Sequence, residues 1–560
     1  MITFSKENLL TFFLRETGAK GRFVLGLTVA CGLLQAGLIS VLAFWLGKAS
    51  GHQALPVAIG FIAGALLLLA GDHFALRRVS ELSERAIGNV TLRLTARARA
   101  IELLELERIG PQRLLDLTAR DLATVSAHQR AAFAGIENVV LAVALVIVLL
   151  SVAPLIGTLM ILTSVAFAKA PALRRIAAEE ARASSVERRL LGLSRSAISG
   201  FKELRLDGDK CADFFDNALR PAVEQTVSPR ICLRRLTVRV AAVETATFYI
   251  VAALAAFCAP FLGFGPAAAA TTFLVLCATY PITDLISTVA DLAAGNSAVQ
   301  NLYQLERELV RAEAPPPASP IRRRRFASLR LEAACFTYPG SRSERPSGIG
   351  PVDPQLVPGT ITFLAGGNGS GKSTLLKLVT GLYPLSAGRL LLDGTEADGG
   401  TVRELFSGVF TDFHLFDRLY GADQIDPARM EGLLHGLGLA GKTRLFDGAF
   451  TTTDLSTGQR KRLALLIAIL EDRPVYVFDE WAADQDPAFR RLFYKTLLPG
   501  LKLAGKAIIA ATHDDRYFDL CDRLIIMEGG RMVTPAAPIL FAERSPIAER
   551  IPVRERTLVN

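Results

Sequence analysis

Paired cysteines are missing from this 560-residue chain. Its seven cysteines stand singly, with no C-x-x-C pair, so neither a metal cluster nor a disulfide framework has support. Charge is scarce too. Asp, Glu, Lys and Arg make up 21% of residues against 51% apolar ones, and the mean hydropathy is +0.34, so part of the chain is expected in lipid. The net charge of +9 comes without an arginine-rich, aromatic-interleaved groove in the second half, and no nucleic-acid partner is expected. The arginines crowd the loops flanking apolar runs instead, as cytoplasmic loops do. Met1 to Gly21 is polar and mixed in charge, so no cleaved signal peptide is expected. No internal repeat stands out.

Long apolar runs are there, all before about residue 292. Six spans are expected: Phe23–Trp45, Leu55–Leu76, Ile136–Val152, Leu155–Ala168, Ala241–Leu262 and Thr271–Leu292. Only Ala153-Pro154 separates the third from the fourth, which predicts a tight hairpin. Lys6, Arg15, Lys20 and Arg22 precede the first span. Arg77, Arg78, Arg85, Arg93 and Arg97 follow the second, and Arg174, Arg175, Arg182, Arg188 and Arg189 follow the fourth. The opposite connections carry almost no positive charge, so both termini are predicted to be cytoplasmic. The connections 77–135 and 169–240 are rich in Ala, Leu, Arg and Glu and read as membrane helices continuing into the cytoplasm. Turns are expected near Glu107–Pro111 and Asp207–Lys210. A Pro-rich stretch ending in Arg322–Arg325 reads as a stiff linker with a solvated or headgroup-facing tail. The predicted domains are thus a membrane domain over 1–312, a linker over 313–325 and a soluble α/β domain over 326–560.

The soluble part carries the chemistry. Gly366-Gly367-Asn368-Gly369-Ser370-Gly371-Lys372-Ser373 fits the phosphate-binding pattern G-x-x-x-x-G-K-[ST]. Apolar Ile361 to Ala365 leads in and a helical run from Thr374 leads out, which is the strand–loop–helix setting the motif needs. Glycines let backbone N–H groups converge on phosphate oxygens, and the helix N-terminus adds its positive end. Lys372 would reach the β/γ-phosphates of a nucleotide, and Ser373 would hold Mg2+. Downstream, Val475-Tyr-Val-Phe-Asp479-Glu480 is a buried-type strand ending in two carboxylates. Asp479 would support the magnesium ion and Glu480 would polarise the attacking water. A plainer role for Glu480 is to cap a following turn. Between these motifs lies Leu455-Ser456-Thr457-Gly458-Gln459, opening an amphipathic helix whose free N–H groups can clasp a phosphate. Ser456 also reads as an ordinary N-cap.

In this order the motifs resemble the nucleotide-binding domain of ATP-binding cassette (ABC) proteins over residues 326–560. The 455–459 stretch resembles the family signature LSGGQ, with Thr457 in place of a glycine. The resemblance implies that Ser456, Gly458 and Gln459 contact nucleotide, that His513 after the apolar strand Ala507–Ala511 is the switch histidine, and that Asp486 lies in the D-loop. It also implies that Tyr338 stacks on adenine, with a plain strand tyrosine as the alternative. One position departs from the family. Aligning Val409 to Phe416 puts Thr411 where a glutamine usually contacts magnesium, followed by Asp412, and either side chain could take that role.

A single chain carries one loop and one signature, so the resemblance implies a homodimer with two composite sites. Membrane domain first and ATPase second resembles the exporter class. The expected fold is therefore an α-helical membrane domain of six transmembrane helices followed by an α/β P-loop nucleotide-binding domain, in a bacterial inner membrane with the ATPase domain cytoplasmic. Gly200-Phe-Lys-Glu-Leu-Arg-Leu206 and Val409 to Arg418 further resemble the cyclic-peptide exporter group, which implies a peptide or siderophore-like substrate. Asp72, His73, Glu244 and Asp284 lie within the spans. Such residues either line a central cavity or face water and pair with neighbouring helices. A lipid or glycolipid flippase shares every ATPase motif. A non-transporting ATP-binding regulator could dispense with Glu480 and His513, and six spans exclude a soluble ABC ATPase.

Overall fold

The computed structural model describes residues 7–48, 54–168, 189–258, 268–313, 325–339, 348–421 and 426–533. Most of the expected linker, Arg322 to Arg324 and the arginines at 174, 175, 182 and 188 lie outside the described residues. The chain divides into two compact units, Met1–Ile101 with Ile109–Glu313, and Glu102–Arg108 with Ala314–Asn560.

The first unit is helical. α1 (Leu9–Thr17) and α2 (Ala19–Lys48) lead to α3 (Ala54–Arg99). At 46 residues α3 is about 70 Å long, more than twice the roughly 30 Å hydrocarbon core, so it must extend well beyond the membrane. The sequence predicts one turn near Glu107–Pro111, but the chain breaks twice. It leaves α3 after Arg99, forms a short helix α4 (Leu103–Ile109) that up to Arg108 belongs to the second unit, and breaks again at Gly110 before α5 (Pro111–Asp116). Gly110 takes a φ of +87°, open to glycine at no cost, and Pro111 has its φ set for a helix start. The second expected turn falls where Asp207 caps Gly208–Asp213, accepting from the N–H groups of Asp209 and Lys210.

α6 (Leu122–Val152) and α7 (Pro154–Ala168) form the predicted hairpin, so close that a Cβ on Gly157 would lie 2.8 Å from Leu150. α8 (Arg220–Cys258) and α9 (Ala268–Arg311) complete the unit. Alanines at 252, 255 and 278 let these helices approach, with Phe248, Leu145 and Leu274 filling the seam. Large apolar side chains of α3, among them Leu55, Ile59, Ile62, Leu66 and Leu69, are instead exposed, as a lipid-facing surface requires. Among the described residues, five helices are long and apolar enough to cross a membrane, within Ala19–Trp45, Leu55–Arg99, Arg113–Val152, Gly208–Cys258 and Ala268–Leu285. The apolar helix Pro154–Ala166, at the place of the fourth expected span, is shorter. The chain is a multi-pass membrane protein.

The second unit is α/β. β1 (Leu329–Thr337), β2 (Gly348–Val352), β3 (Gln355–Leu356), β5 (Ala387–Leu392) and β6 (Thr395–Glu396) form an antiparallel sheet, and β8 (Leu445–Phe446) pairs with β9 (Ala449–Phe450). The main sheet runs β13-β12-β4-β11-β10-β7, where β4 is Ile361–Ala365, β7 Phe406–Val409, β10 Val475–Asp479, β11 Ala507–Ala511, β12 Arg523–Glu528 and β13 Arg531–Met532. All but the β12–β13 pair are parallel. Every residue of β4, β10 and β11 is buried, which is why these strands read as continuous apolar runs. Val475 and Val477 face one core with Leu364, Ile509 and Leu375, which lies in α10 (Lys372–Val379). Tyr476 and Phe478 face the other with Phe363, Ile508 and Leu466, which lies in α11 (Thr457–Glu471). Because the strands are parallel, the segments after β4, β7, β10 and β11 emerge at one edge, where α/β sheets bind ligands.

Candidate phosphate-binding site

The loop after β4 turns into α10 through conformations that only glycine takes without strain. Gly366 has φ +144° and Gly371 φ +104°. A Cβ on Gly366 would lie 2.3 Å from the Met527 carbonyl oxygen, and one on Gly371 2.6 Å from Ile349 Cγ2. Ser370 anchors the loop, its carbonyl accepting from the Gly530 N–H at 3.1 Å. Asn368, Gly369 and Ser373 are exposed, whereas Lys372 is only 5% exposed. Lys372 Nζ donates to the carbonyl oxygens of Gly366 (2.9 Å) and Gly367 (3.2 Å), so its charge sits within the loop's own concavity. Thr374, in the first turn of α10, pairs its hydroxyl at 2.8 Å with that of Tyr338. Tyr338 lies just beyond the end of β1, half-buried and edge-on to Phe336.

Asp479 ends β10 and is 2% exposed. Its Oδ2 accepts from the Thr411 hydroxyl at 2.8 Å, while its Oδ1 is buried with no hydrogen-bond partner among the described residues. A buried carboxylate oxygen left unpaired is costly, and a hard cation with oxygen ligands is what such an atom suits. Among the described residues no group of three or more His, Cys, Asp or Glu is placed to hold a metal ion. Asp412, next to Thr411, is exposed.

Glu480 follows in the left-handed region, φ +50° and ψ 36°. Its Oε1 lies 2.9 Å from His513 Nε2 and 3.7 Å from Lys372 Nζ. His513 comes two residues after β11, so the strand register that pairs Asp479 with Ala511 also brings these two side chains together. Glu480, His513, Arg490, Tyr494 and Asp514 line a cavity of about 370 Å³.

The 455–459 stretch lies at the start of α11. Ser456 is its N-cap, with an exposed side chain that accepts from the Gln459 N–H at 3.5 Å, and the Gln459 side chain closes a capping box by accepting from the Ser456 N–H at 3.1 Å. The N-cap role is therefore real, and it leaves the hydroxyl at a helix N-terminus open to solvent. Gly458 packs so near that a Cβ there would lie 2.9 Å from the Asp484 carbonyl oxygen. Asp486 caps α12 (Pro487–Leu492), accepting from the N–H groups of Ala488 and Phe489 at 3.0 Å each.

Known proteins carry the same layout. The family model described as ABC transporter matches residues 349–483. Over 357 residues the chain is 37% identical to ATP-binding protein SyrD of Pseudomonas syringae pv. syringae, covering 61% of this chain and 63% of that protein. Over 196 residues it is 32% identical to thiamine import ATP-binding protein ThiQ of Jannaschia sp. (strain CCS1), covering 32% of this chain and 83% of ThiQ. The chain belongs to the ABC transporter family. A bacterial Atm1-family ABC exporter, solved with ATP bound, superimposes with a TM-score of 0.71 over 93% of this chain and 95% of that one. At 17% identity that likeness is one of fold, an exporter-type helical membrane region followed by an ABC nucleotide-binding domain. The chain spans a little under two thirds of the length of the first curated relatives it matches.

Several residues of this ABC chain escape a reading by motif. Asp514 accepts both Nε and Nη2 of Arg516, at 2.7 and 2.8 Å, and lies 3.8 Å from Arg490. The Arg516 hydrogen bond holds the Asp514 carboxyl below the usual range. Within the second unit, Lys377 of α10 donates to Glu107 at 3.0 Å, and Arg403 donates to Glu102 at 2.8 Å. Nothing in the spacing of 102–108 marks these glutamates. In the membrane unit, Asp72 is half-buried and His73 exposed. Asp284 accepts from Asn138 Nδ2 at 2.8 Å. Glu244 is 1% exposed, and its Oε2 has no hydrogen-bond partner among the described residues.

Proposed function

We propose that this chain is an ATP-hydrolysing exporter that carries a peptide or siderophore-like product out of the cytoplasm by alternating access. The observation that carries the reading is Glu480, whose carboxylate meets His513 at 2.9 Å and Lys372 at 3.7 Å beside the phosphate loop. ATP lies with its phosphates over Gly366 to Ser373 and Thr374, and Tyr338 stacks on its adenine. Lys372 turns from the loop carbonyls to the β- and γ-phosphates. Ser373 and Asp479 would hold Mg2+, with Thr411 and Asp412 beside them. When bound, the ion neutralises phosphate charge. Glu480 takes a proton from the attacking water as its oxygen bonds to the γ-phosphorus. The bond to the bridging oxygen breaks, and ADP leaves with that electron pair. His513 keeps the carboxylate aimed and can hydrogen-bond the γ-phosphate.

A second copy of the chain completes each site, its Ser456, Gly458 and Gln459 clasping the γ-phosphate at the N-terminus of α11, with Asp486 signalling between sites. The setting is a bacterial inner membrane with both termini and the ATPase domain in the cytoplasm. Arginine placement along the chain supports that orientation. Likeness to an ATP-binding protein and to the fold of an exporter supports ATP-driven export. The substrate class rests on Gly200 to Leu206 and Val409 to Arg418 alone. The test is ATPase stimulation of the purified, reconstituted protein by a panel of peptides, siderophores and lipids. Stimulation by peptides or siderophores supports the reading. Stimulation by lipids alone makes the chain a flippase, and absence of hydrolysis makes it a regulator.

A further inference from the structure

Lys461 lies on the inward face of α11, five residues after Ser456, on one stripe with buried Leu465 and Ala468. Its side chain is 4% exposed. A buried ammonium group survives in such a place only where oxygens meet it. Two do. Nζ donates to the backbone carbonyl oxygen of Glu480 at 2.9 Å and pairs with Asp484 Oδ2 at 2.7 Å. The carbonyl oxygen of Lys461 in turn accepts from the Trp481 indole Nε1 at 2.9 Å. One residue thus ties the 480–484 segment at three points.

The segment it ties contains the left-handed Glu480, a conformation that a side chain with a Cβ keeps only when its surroundings impose it. That backbone turn decides where the carboxylate goes, and it goes to His513 and Lys372. We propose that Lys461 is a positioning residue for Glu480, fixing the carbonyl so that the carboxylate is held for reaction. The inference rests on Glu480 being the general base. Lys461 belongs to the helix that Ser456 and Gly458 open, so a shift of the signature segment moves the Glu480 carbonyl with it. A second strut runs the same way, Gln485 Nε2 donating to the Gly458 carbonyl oxygen at 3.1 Å. In a dimer, engagement of this signature with the partner's nucleotide is therefore felt at the chain's own carboxylate.

The test uses the full chain in lipid, comparing Lys461→Met, Glu480→Gln and the double variant by kcat, ATP KM and melting temperature. Lys461→Met keeps the apolar stem and removes the donor. Its kcat should fall at least about tenfold while ATP KM stays within about threefold and melting holds within a few degrees. Lys461→Gln, which keeps a shorter donor, should lose less. In the Glu480→Gln background, Lys461→Met should change single-turnover hydrolysis by less than about twofold, because the group it positions is already gone. A Lys461→Met kcat within twofold of the parent overturns the proposal, as does a loss that tracks KM or melting, or one that adds in full to Glu480→Gln. If Lys461→Met does not fold, Lys461→Gln and Asp484→Asn are read by the same criteria. Near-normal hydrolysis in Glu480→Gln removes the base assignment and the role of Lys461 with it. A dead Glu480→Gln beside a normal Lys461→Met removes Lys461 alone.

Discussion

The strand edge of the α/β unit and the spans of the membrane unit hold their ionisable residues differently. In the α/β unit, Lys372 and His513 come from separate segments and each lies within 4 Å of Glu480 at one strand edge. Of the ionisable residues read within the spans of the membrane unit, Glu244 has an unpaired buried oxygen, Asp284 accepts from Asn138, and His73 is exposed, whereas Arg93 with Glu16 and Glu306 pairs beyond the spans. Bond-making at phosphorus requires groups held to fractions of an ångström, so it fixes residue types at fixed spacings. Moving a solute across lipid asks only for a surface of suitable polarity, which many residues can share.

The sharpest way to break that comparison is Glu480→Gln. If the catalytic edge is as concentrated as its geometry, this variant binds ATP, accumulates a closed dimer and loses hydrolysis by about a hundredfold or more, followed as phosphate release. Near-normal turnover would mean that catalysis is as dispersed as the membrane polarity. Lys372→Ala comes next. Losing a charge-assisted contact of about 1.5–3 kcal/mol should weaken nucleotide binding by roughly ten- to a hundredfold, measured by ATP titration. Unchanged affinity would show that the loop's N–H groups suffice.

The contrast also explains what could be read from the chain. β4, β10 and β11 were legible as apolar runs because a parallel sheet buries both faces, and the loop glycines because few other residues take a φ near +104°. Lys461 was hidden because a lysine within an amphipathic helix reads as solvated. Its place on the stripe of Leu465 and Ala468 was the available signal. The left-handed turn at Glu480 has no signature in residue type. The expected turn at 107–111 is present at Gly110-Pro111, but the additional break after Arg99 was not legible because it falls in a sequence with good helix formers on both sides.

For the membrane unit the expected effects are smaller. Glu244→Gln removes a buried carboxylate without changing its shape and should lower substrate export by roughly three- to tenfold, more than it lowers hydrolysis, if that oxygen awaits a polar group of the substrate. Asp284→Asn, which already has Asn138 as partner, should do less. Alanine at each of Asp72, His73, Glu244 and Asp284 with export unchanged throughout would remove ionisable residues from the translocation path.

The smallest effect is expected at Thr411, where the ABC pattern usually has glutamine. Its hydroxyl gives Asp479 Oδ2 one neutral hydrogen bond and leaves Oδ1 free for a cation. Thr411→Val keeps the volume and deletes a bond worth about 1 kcal/mol, or roughly fivefold. That loss should raise the Mg2+ concentration for half-maximal hydrolysis by about that factor and leave kcat at saturating Mg2+ nearly unchanged. Thr411→Gln should restore the Mg2+ requirement to within about twofold of the parent, because a longer side chain can reach the ion itself rather than steady the carboxylate. A fall in kcat in Thr411→Val with the Mg2+ requirement unmoved would transfer Thr411 from the metal's support to that of Glu480, and the catalytic edge would then be more tightly coupled than its separate distances suggest.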